Sequence, residues 1–556
     1  MECDVLVIGS GAAGLTAALK AACEGLSVIV AEKEPVFGGT TALSEGMIWA
    51  PLADPTLPDT REAAIAFIRA AAGNHAEPER IAAYVDAAAE MLAFVQDNSP
   101  LRFTLAKYSI DYHQDLPGAT KGVRAYNPGL YDGRRLGADF ATLKSPLAST
   151  MLLGGMTVAS ADLPHFMRMR KSVPSAAHVA KVAGRYALDR LSGYRRGTRI
   201  ANGNGLVAAL YEALKARGVP VLLGARAAAL ATHDGRVTGA AFEGARQGEI
   251  HARRGVVLAC GGAPGSTSYQ ARFYPHVKQG KSHHSLAPST NTGDGLALGE
   301  AAGGALNTTL AQPAAWTPVS LVPQRDGASV PFPHYIDRGK PGVIAVTRHG
   351  RRFTNEADVY HRFVPAMIEA CRDDPEVAVW LIADHRAQRA YGLGAAPPAP
   401  ARVAPFVASG YLKRADSIAD LARACGIDPV VLETTVAAFN RDAARGEDPA
   451  FGKGSSVYNR ANGDPEHQPN PCLAPIATPP FYAVKVVPGD IATFVGLKTD
   501  ADARVLDAAG LPVAGLYAAG NDAASAMGGD YPAAGITIGS AMTFGYIAAR
   551  HIARER

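Results

Sequence analysis

The N-terminus of this 556-residue chain holds a glycine-rich turn between two apolar runs, and this pattern constrains the fold more than any other feature. Residues 5–8 (Val-Leu-Val-Ile) are β-forming, residues 9–14 (Gly-Ser-Gly-Ala-Ala-Gly) follow at once, and residues 15–24 are helical in composition. A second apolar run, residues 27–31, ends at Glu32. This succession of strand, glycine-rich turn, helix and strand is typical of a dinucleotide-binding βαβ unit.

Each glycine of the turn has a separate predicted role. Gly9 permits the tight turn, Gly11 lets a pyrophosphate approach the backbone, and Gly14 lets the helix pack closely on the strand. The helix N-terminus would offer free N–H groups and a positive dipole end to the phosphates. Glu32 follows Gly14 by 18 residues. Its carboxylate can accept hydrogen bonds from a ribose diol and would repel a 2′-phosphate, which disfavours NADP.

Length, charge and cysteine usage bound the class of protein. The chain is longer than one hydrophobic core usually serves, so we expect at least two domains. A net charge of +4 argues against a dedicated nucleic-acid binder. The six cysteines form no CxxC pair and no metal spacing, which favours a reducing compartment and predicts no metal site. No run of eighteen apolar residues occurs, so we expect a cytoplasmic protein.

One segment, residues 162–199, departs from this near-neutral average. It carries nine basic residues against two acids, a local charge of +7. Apolar side chains are interleaved with the charges. One interpretation is a solvated helical face, and the other is peripheral contact with anionic lipid. The nine basic residues are Arg168, Arg170, Lys171, Lys181, Arg185, Arg190, Arg195, Arg196 and Arg199.

Further glycine-rich elements recur along the chain. Residues 38–46 form a small, hydroxyl-bearing loop after the second strand, and residues 255–262 and 515–521 are strand-like runs that end in glycine. Residues 291–295 (Asn-Thr-Gly-Asp-Gly) follow the second of these elements. In this order they resemble flavoproteins of the fumarate reductase and ketosteroid dehydrogenase superfamily.

That resemblance implies an α/β fold, in which a Rossmann-like FAD-binding domain carries an inserted α+β substrate-capping domain. We expect the FAD-binding domain over residues 1–300 and 488–556, and the capping domain over 301–487. The FAD is expected to be noncovalent, because residues 38–46 lack the histidine that carries covalent flavin in some relatives. The expected cofactor-binding residues are Gly9, Gly11, Ala12, Ala13, Gly14, Glu32, Lys33, Gly39, Thr40, Thr41, Ser44, Gly46, Gly261, Gly262, Asp294, Gly520, Asn521 and Ile536.

The C-terminal segment 515–546 contains no Lys, Arg or His. In fumarate reductases the matching segment supplies cations that hold a dicarboxylate. In this chain the charged residues of the segment are Asp522 and Asp530, and both would repel a dicarboxylate. The segment therefore favours an uncharged, apolar substrate.

Tyr531-Pro-Ala-Ala-Gly535 resembles the Tyr-Pro-Gly-Pro-Gly element of 3-ketosteroid Δ1-dehydrogenases. In that family the tyrosine hydroxyl and the glycine N–H bind the ketone oxygen, so the resemblance assigns these roles to Tyr531 and Gly535. Donors placed where charge develops on oxygen would stabilise an enolate. Two alanines stand where the family has Gly-Pro, which leaves both donors in place.

Residues 351–360 (Arg-Arg-Phe-Thr-Asn-Glu-Ala-Asp-Val-Tyr) resemble the family segment that ends in the proton-abstracting tyrosine. The resemblance gives Tyr360 that role and gives Tyr112 an assisting one, with Tyr194 a further candidate. A tyrosine of ordinary pKa, about 10, is a weak base at neutral pH. Tyr360 would therefore need a stabilised phenolate or a second hydroxyl that relays the proton.

The resemblance implies a dehydrogenase that converts a cyclic ketone to the α,β-enone. Four readings stay open: a 3-ketosteroid substrate, a small cyclohexanone-type ketone, fumarate reductase-like chemistry, and a flavin redox sensor without turnover. No feature of the sequence specifies the electron acceptor or the oligomeric state, and no heme CxxCH motif or iron–sulfur cysteine cluster occurs.

Overall fold

The computed structural model describes residues 1–147, 151–159, 162–169 and 172–555. Its strands are β1 (Glu2–Ile8), β2 (Val28–Glu32), β3 (Ile48–Trp49), β4 (Phe103–Leu105), β5 (Ala125–Pro128), β6 (Tyr131–Asp132), β7 (Met151–Leu152), β8 (Met156–Thr157), β9 (Arg199–Ile200), β10 (Val221–Leu223), β11 (Ala225–His233), β12 (Arg236–Gly244), β13 (Gly248–Leu258), β14 (His284–Ser285), β15 (Leu306–Asn307), β16 (Ala314–Pro323), β17 (Ser329–Pro333), β18 (Val343–Thr347), β19 (Val379–Ala383), β20 (Leu412–Ala415), β21 (Phe481–Thr493), β22 (Gly496–Leu497), β23 (Arg504–Leu506) and β24 (Pro512–Ala518). Its α-helices are α1 (Ala12–Cys23), α2 (Arg61–Ala72), α3 (Pro78–Asn98), α4 (Leu163–Arg168), α5 (Val173–Leu191), α6 (Asn202–Lys215), α7 (Thr267–Phe273), α8 (Pro275–Lys278), α9 (Asp294–Ala301), α10 (Tyr360–Ala370), α11 (His385–Tyr391), α12 (Ala404–Ala408), α13 (Ile418–Cys425), α14 (Pro429–Ala443), α15 (Val457–Asn462) and α16 (Ile536–Arg554).

The first sheet is built on the predicted βαβ unit. Strand β1 lies between β2 and β13, and all three run parallel. Strand β10 extends the sheet beyond β2, and β24 pairs with β13 in parallel, so the chain returns to this sheet near its C-terminus. Because carboxyl ends of parallel strands meet at one edge, the glycine-rich segments that follow β1, β13 and β24 come together there.

Helix α1 covers this sheet at very short range. A Cβ built on Gly14 would lie 2.0 Å from the Gly9 carbonyl oxygen, so only glycine permits this helix–strand approach. Helix α16 crosses α1 as closely, since a Cβ on Gly545 would lie 2.4 Å from the Ala13 carbonyl oxygen. The two helices thereby join the N-terminal and C-terminal ends of the chain in one core.

The hairpin that the sequence suggests is displaced along the chain. Runs at residues 219–224 and 236–242 predicted its two strands, but β11 pairs with β12, while β10 runs parallel to β2. The prediction of the first strand was wrong because β11 is rich in alanine, which has low β-propensity. Asp234 and Gly235 join β11 to β12, both with positive φ, as a tight two-residue turn requires.

The second sheet contains β14, β16, β17, β18, β19, β20 and β21, and β21 runs through its centre. Its strands lie between His284 and Thr493, which accommodates the proposed capping domain at 301–487. The predicted α/β fold with a Rossmann-like unit is thus confirmed, whereas the domain boundaries remain a proposal.

The basic segment at 162–199 is mainly helical, through α4 and α5. Arg185 and Arg199 form ion pairs with Asp132 and Asp162, at 2.6 and 2.8 Å. Arg196 is buried, so part of the local charge serves internal contacts. Two of the nine basic residues lie outside the described residues: Arg170 and Lys171. Within the described ranges, no helix has the length and apolar character needed to cross a bilayer.

Candidate active site

A cavity of about 810 Å³ extends from the carboxyl edge of the first sheet into the second sheet. Its lining joins the glycine-rich turn before α1 to Tyr112, Tyr360 and Tyr531. The residues expected to bind the nucleotide and the tyrosines expected to act on the substrate therefore line one continuous cavity. The expected cofactor-binding residues that line it are Gly9, Gly11, Ala12, Ala13, Glu32, Lys33, Gly39, Thr40, Thr41, Ser44, Gly46, Gly261, Asp294, Gly520 and Asn521.

The turn before α1 suits an anionic ligand. Gly11 is the N-cap of α1 and has no side chain to cap the helix. The Ala12 N–H donates to the Thr41 hydroxyl at 3.0 Å. The next N–H groups of the first turn have no carbonyl partner inside the helix, so they remain available to phosphate oxygens. Hydroxyl groups of Thr40, Thr41 and Ser44 line the same part of the cavity. This donor set fits a pyrophosphate.

Glu32 lies at the end of β2 with its carboxylate fixed in place. Its Oε2 accepts hydrogen bonds from the N–H and the hydroxyl of Ser10, at 3.1 and 2.6 Å. Its Oε1 accepts from the Glu34 N–H at 2.9 Å. A carboxylate has about four lone-pair sites, so one site remains for a ribose hydroxyl. Nearby, Lys33 forms an ion pair with Asp294 at 2.8 Å. Carboxylate, helix end and hydroxyl loop together have the chemistry that an FAD molecule requires.

Three expected cofactor residues lie behind the lining. Gly14 faces β1 rather than the cavity. Gly262 uses its N–H to bind the buried Asp522 carboxylate, at 2.9 Å. Ile536 is 1% exposed at the start of α16 and contributes to the core. At these three positions the structure shows contacts with other parts of the protein and no exposure to the cavity.

Tyr194 does not join the other tyrosines. It is half-buried and packs edge-on against Phe140, with ring centroids 5.8 Å apart. It follows α5 in a turn, where its carbonyl accepts a hydrogen bond from Arg190. Tyr194 is not among the described residues that line the cavity, because this turn directs its ring against Phe140.

Tyr112, Tyr360 and Tyr531 form a compact cluster. The Tyr360 ring lies 5.9 Å from Tyr112 and 5.5 Å from Tyr531, measured between centroids. The Tyr112 and Tyr531 rings are stacked at 6.1 Å. Tyr112 is also tied to the C-terminal segment, because its N–H donates to the Pro532 carbonyl at 2.7 Å. Tyr112 and Tyr531, more than 400 positions apart in the chain, are thus held in ring contact.

Burial keeps these hydroxyls protonated. Desolvation raises the pKa of Tyr360 well above 10, and the neighbouring hydroxyls of Tyr112 and Tyr531 raise it further. Burial raises the pKa of Tyr112 in the same way. It also raises that of Tyr531, although the Thr537 and Tyr360 hydroxyls oppose the shift. Because each phenolate would repel the next, one proton at most can leave the cluster readily.

Gly535 places a backbone donor beside the cluster. It lines the cavity as the N-cap of α16, with φ of +85°, a conformation that favours glycine. No side chain caps this helix end. The 19-residue α16 therefore directs unpaired N–H groups and the positive end of its dipole towards the Tyr531 side of the cavity.

A buried polar network supports the three tyrosines from behind. His113, His361 and Asp530 are each the sequence neighbour of one of them. Asp530 accepts hydrogen bonds from His113 Nε2 and from the Tyr531 N–H, both at 2.8 Å. His361 Nε2 faces the same carboxylate at 3.9 Å. Burial lowers the pKa of His361 to about 4, so its ring is neutral near pH 7.

Sequence patterns missed three residues of this end of the cavity. Tyr335 and Tyr458 complete the aromatic wall, with centroids 5.0 Å from Tyr360 and 4.9 Å from Tyr112. Glu45 projects into the cavity from the loop after β2. No local motif marks them, because they lie in segments far apart in sequence. Glu45 could have been noticed as the one charge within residues 38–46.

Comparison with known proteins identifies the family. The FAD binding domain model matches residues 4–538. The chain is 40% identical to a 4-oxocyclohex-2-ene-1-carboxylate 5-dehydrogenase of Sinomonas cyclohexanicum, covering 100% of this chain and 94% of the relative. It is 36% identical to a 3-oxosteroid 1-dehydrogenase of Mycobacterium tuberculosis, covering 100% and 99%.

A solved structure matches the whole architecture. The 3-ketosteroid Δ1-dehydrogenase of Sterolibacterium denitrificans, crystallised with 1,4-androstadiene-3,17-dione, superposes with a TM-score of 0.91 at 35% identity and covers 100% of both chains. The inferred cofactor, FAD, agrees with the family match and with the donor set of the cavity. The chain belongs to the family of FAD-dependent dehydrogenases that includes the 3-oxosteroid 1-dehydrogenases and the oxocyclohexene carboxylate dehydrogenases.

Proposed function

We propose that this chain is an FAD-dependent dehydrogenase that converts a cyclic ketone to its α,β-enone. The observation that carries the proposal is the cluster of Tyr112, Tyr360 and Tyr531 beside Gly535, in the same cavity as the nucleotide-binding turn. A tyrosine cluster next to a helix N-terminus offers both a hydrogen-bond donor for a ketone oxygen and a base for the adjacent carbon.

The ketone oxygen docks between the Tyr531 hydroxyl and the Gly535 N–H. A raised pKa suits Tyr531 to this role, because it remains a donor at neutral pH. Both donors become more effective as negative charge develops on the oxygen, so they stabilise an enolate more than the ketone. This difference acidifies the neighbouring C–H.

Tyr360 removes the α proton, with Tyr112 beside it. The high pKa of Tyr360 makes its phenolate rare but strongly basic. Tyr112 can accept a share of the charge through its hydroxyl and relay the proton along the cluster. The aromatic wall excludes water from the developing enolate, which strengthens each electrostatic contact.

When bound, FAD supplies the hydride acceptor for the β carbon. The chain positions it through the turn before α1, Glu32 and the hydroxyl loop at 38–46. We propose that the FAD is bound noncovalently, because that loop lacks the histidine that carries covalent flavin in some relatives.

Substrate size is tested by a panel of ketones. Purified, FAD-loaded protein is assayed with 3-ketosteroids and with cyclohexanones under an artificial electron acceptor, and kcat/KM is compared. We expect turnover of at least one ketone class, with an α,β-enone as product. Enone formation from none of them would contradict the proposal, and reduction of fumarate in its place would favour the fumarate reductase alternative.

We also propose that α5 makes peripheral contact with anionic lipid. Val173, Leu188 and Leu191 are 83, 60 and 84% exposed. Exposed Lys181 and Arg195 lie in the same segment. An apolar surface with basic residues around it is typical of a membrane-surface element, and such contact would suit a lipophilic ketone.

Sedimentation with anionic vesicles tests the lipid contact. We expect binding at low salt that weakens at high salt, and a decrease when Val173 and Leu191 are both changed to serine. Val430→Ser, at another site 70% exposed, is the matched control and should bind like the wild type. Equal sedimentation with and without vesicles would remove the proposal.

A further inference from the structure

Glu45 lines the cavity, and the proposed reaction assigns no role to its carboxylate. Glu45 follows a short 3-10 turn (Thr41–Leu43). Its neighbours are fixed, since the Ser44 hydroxyl donates to the Thr41 carbonyl at 2.7 Å and accepts from the Gly46 N–H at 3.0 Å. The Gly203 N–H also donates to the Ser44 carbonyl, at 3.0 Å. The loop therefore holds Glu45 in a defined place.

The Glu45 side chain enters the cavity without a partner. Among the described residues, none gives its carboxylate a hydrogen bond or an ion pair. Glu45 is an exposed residue that lines the cavity. Partial desolvation by the surrounding protein raises the pKa of its carboxyl. Its charge in turn contributes to the raised pKa of Tyr335 and Tyr531, which places it within electrostatic reach of both.

The other charged residues of the lining have partners among the described residues, and Glu32 accepts hydrogen bonds from Ser10 and from the Glu34 N–H. Among the described lining residues, Lys33 is the one cation, and it is paired with Asp294 at 2.8 Å. Asp337 is paired with His334 at 2.7 Å. Glu34 forms an ion pair with Lys144. The unpaired charge at the tyrosine end is therefore negative.

We propose that Glu45 is a specificity-determining residue that excludes ketones bearing a carboxylate, so that the substrate of this chain is an uncharged cyclic ketone. The inference rests on the proposed function and defines its substrate class. Two like charges in one enclosed site repel each other strongly, and no described cation of the lining is free to neutralise the second. The Sinomonas relative is named for a substrate that bears a carboxylate. The substrate preference that we propose for this chain is the opposite.

A matched pair of substrates tests the selectivity. The protein with FAD bound is assayed with 4-oxocyclohexanecarboxylate and with its methyl ester, which share the ring and the ketone but differ in charge. We expect kcat/KM for the ester to exceed that for the acid by about tenfold or more, the factor that corresponds to a like-charge repulsion of about 1.4 kcal/mol or more. Equal values, or a preference for the acid, would overturn the inference.

Glu45→Gln tests the residue itself. This isosteric change should raise kcat/KM for the acid about tenfold. The ratio of kcat/KM for the acid to that for the ester should therefore move closer to one. Glu433→Gln, on an exposed position of α14, removes the same charge away from the cavity and should leave the ratio unchanged. An unchanged ratio in Glu45→Gln, or loss of FAD without a change in ratio, would assign the carboxylate another role.

Binding provides a readout that is independent of turnover. Perturbation of the flavin spectrum is titrated with 4-hydroxybenzoate and with its methyl ester, as unreactive ring analogues. We expect tighter binding of the ester in the wild type and a smaller difference in Glu45→Gln. If no ketone is oxidised, the proposed function fails; if the acid is oxidised faster than the ester, that function stands and the role of Glu45 falls.

Discussion

Tyr360→Phe should lower kcat/KM for the ketone by about 10²- to 10⁴-fold, the usual contribution of a general base. The variant retains the ring that packs against Tyr112 and Tyr335, and it loses only the hydroxyl. FAD content and thermal stability should therefore match the wild type. Steady-state kinetics with an artificial acceptor, together with flavin absorbance per chain, measure both.

The pH dependence provides an internal check on this result. A base acts only when deprotonated, and burial raises the pKa of Tyr360 well above 10. In the wild type kcat/KM should therefore rise about tenfold per pH unit from pH 7 towards alkaline pH. The rise should be absent in Tyr360→Phe. Tyr546→Phe, which removes a hydroxyl bound to Glu90 outside the cavity, should behave like the wild type; a rate in Tyr360→Phe near the wild-type rate would remove Tyr360 as the base.

Tyr531→Phe should lower kcat by about 10²- to 10³-fold, as expected for loss of one oxyanion donor. The remaining donor at Gly535 belongs to the backbone, so the substitution leaves it in place. The His113–Asp530 contact should also persist, because Asp530 bonds the Tyr531 N–H rather than its side chain.

Ligand binding distinguishes a Tyr531 that donates a hydrogen bond to the ketone oxygen from a Tyr531 that only packs against the substrate. Phenols imitate an enolate, so their affinity should decrease in Tyr531→Phe more than the affinity of the ketone does. Spectral titration of the bound flavin measures both constants. Equal losses for phenol and ketone would indicate that Tyr531 only shapes the cavity.

Local patterns predicted the parts of the fold that depend on local chemistry. The turn at residues 9–14 dictates its own geometry, since Gly14 must approach Gly9 and the strand residues 5–8 and 28–31 are apolar. The alanine-rich β11 could not be predicted in this way, because its conformation comes from pairing with β12. Helix α13, in contrast, begins at a serine N-cap, which is a purely local signal.

The residues of the candidate site also differ in whether the sequence could locate them. Resemblance placed Tyr112, Tyr360 and Tyr531, and the structure brings them together. It could not place Tyr194, whose direction depends on contact with Phe140 in the 3-10 helix Gly133–Thr142, about fifty residues earlier in the chain. Nor could any linear pattern predict that Glu45 lacks a partner, since this depends on every residue around the cavity.

The central claim, oxidation of a ketone at this site, is tested most directly by anaerobic mixing of the FAD-loaded protein with one equivalent of ketone. We predict loss of the oxidised flavin absorbance, with stoichiometric formation of the α,β-enone, in the wild type and not in Tyr360→Phe. Flavin that stays oxidised with every 3-ketosteroid and cyclohexanone would contradict the account and favour a flavoprotein without ketone turnover.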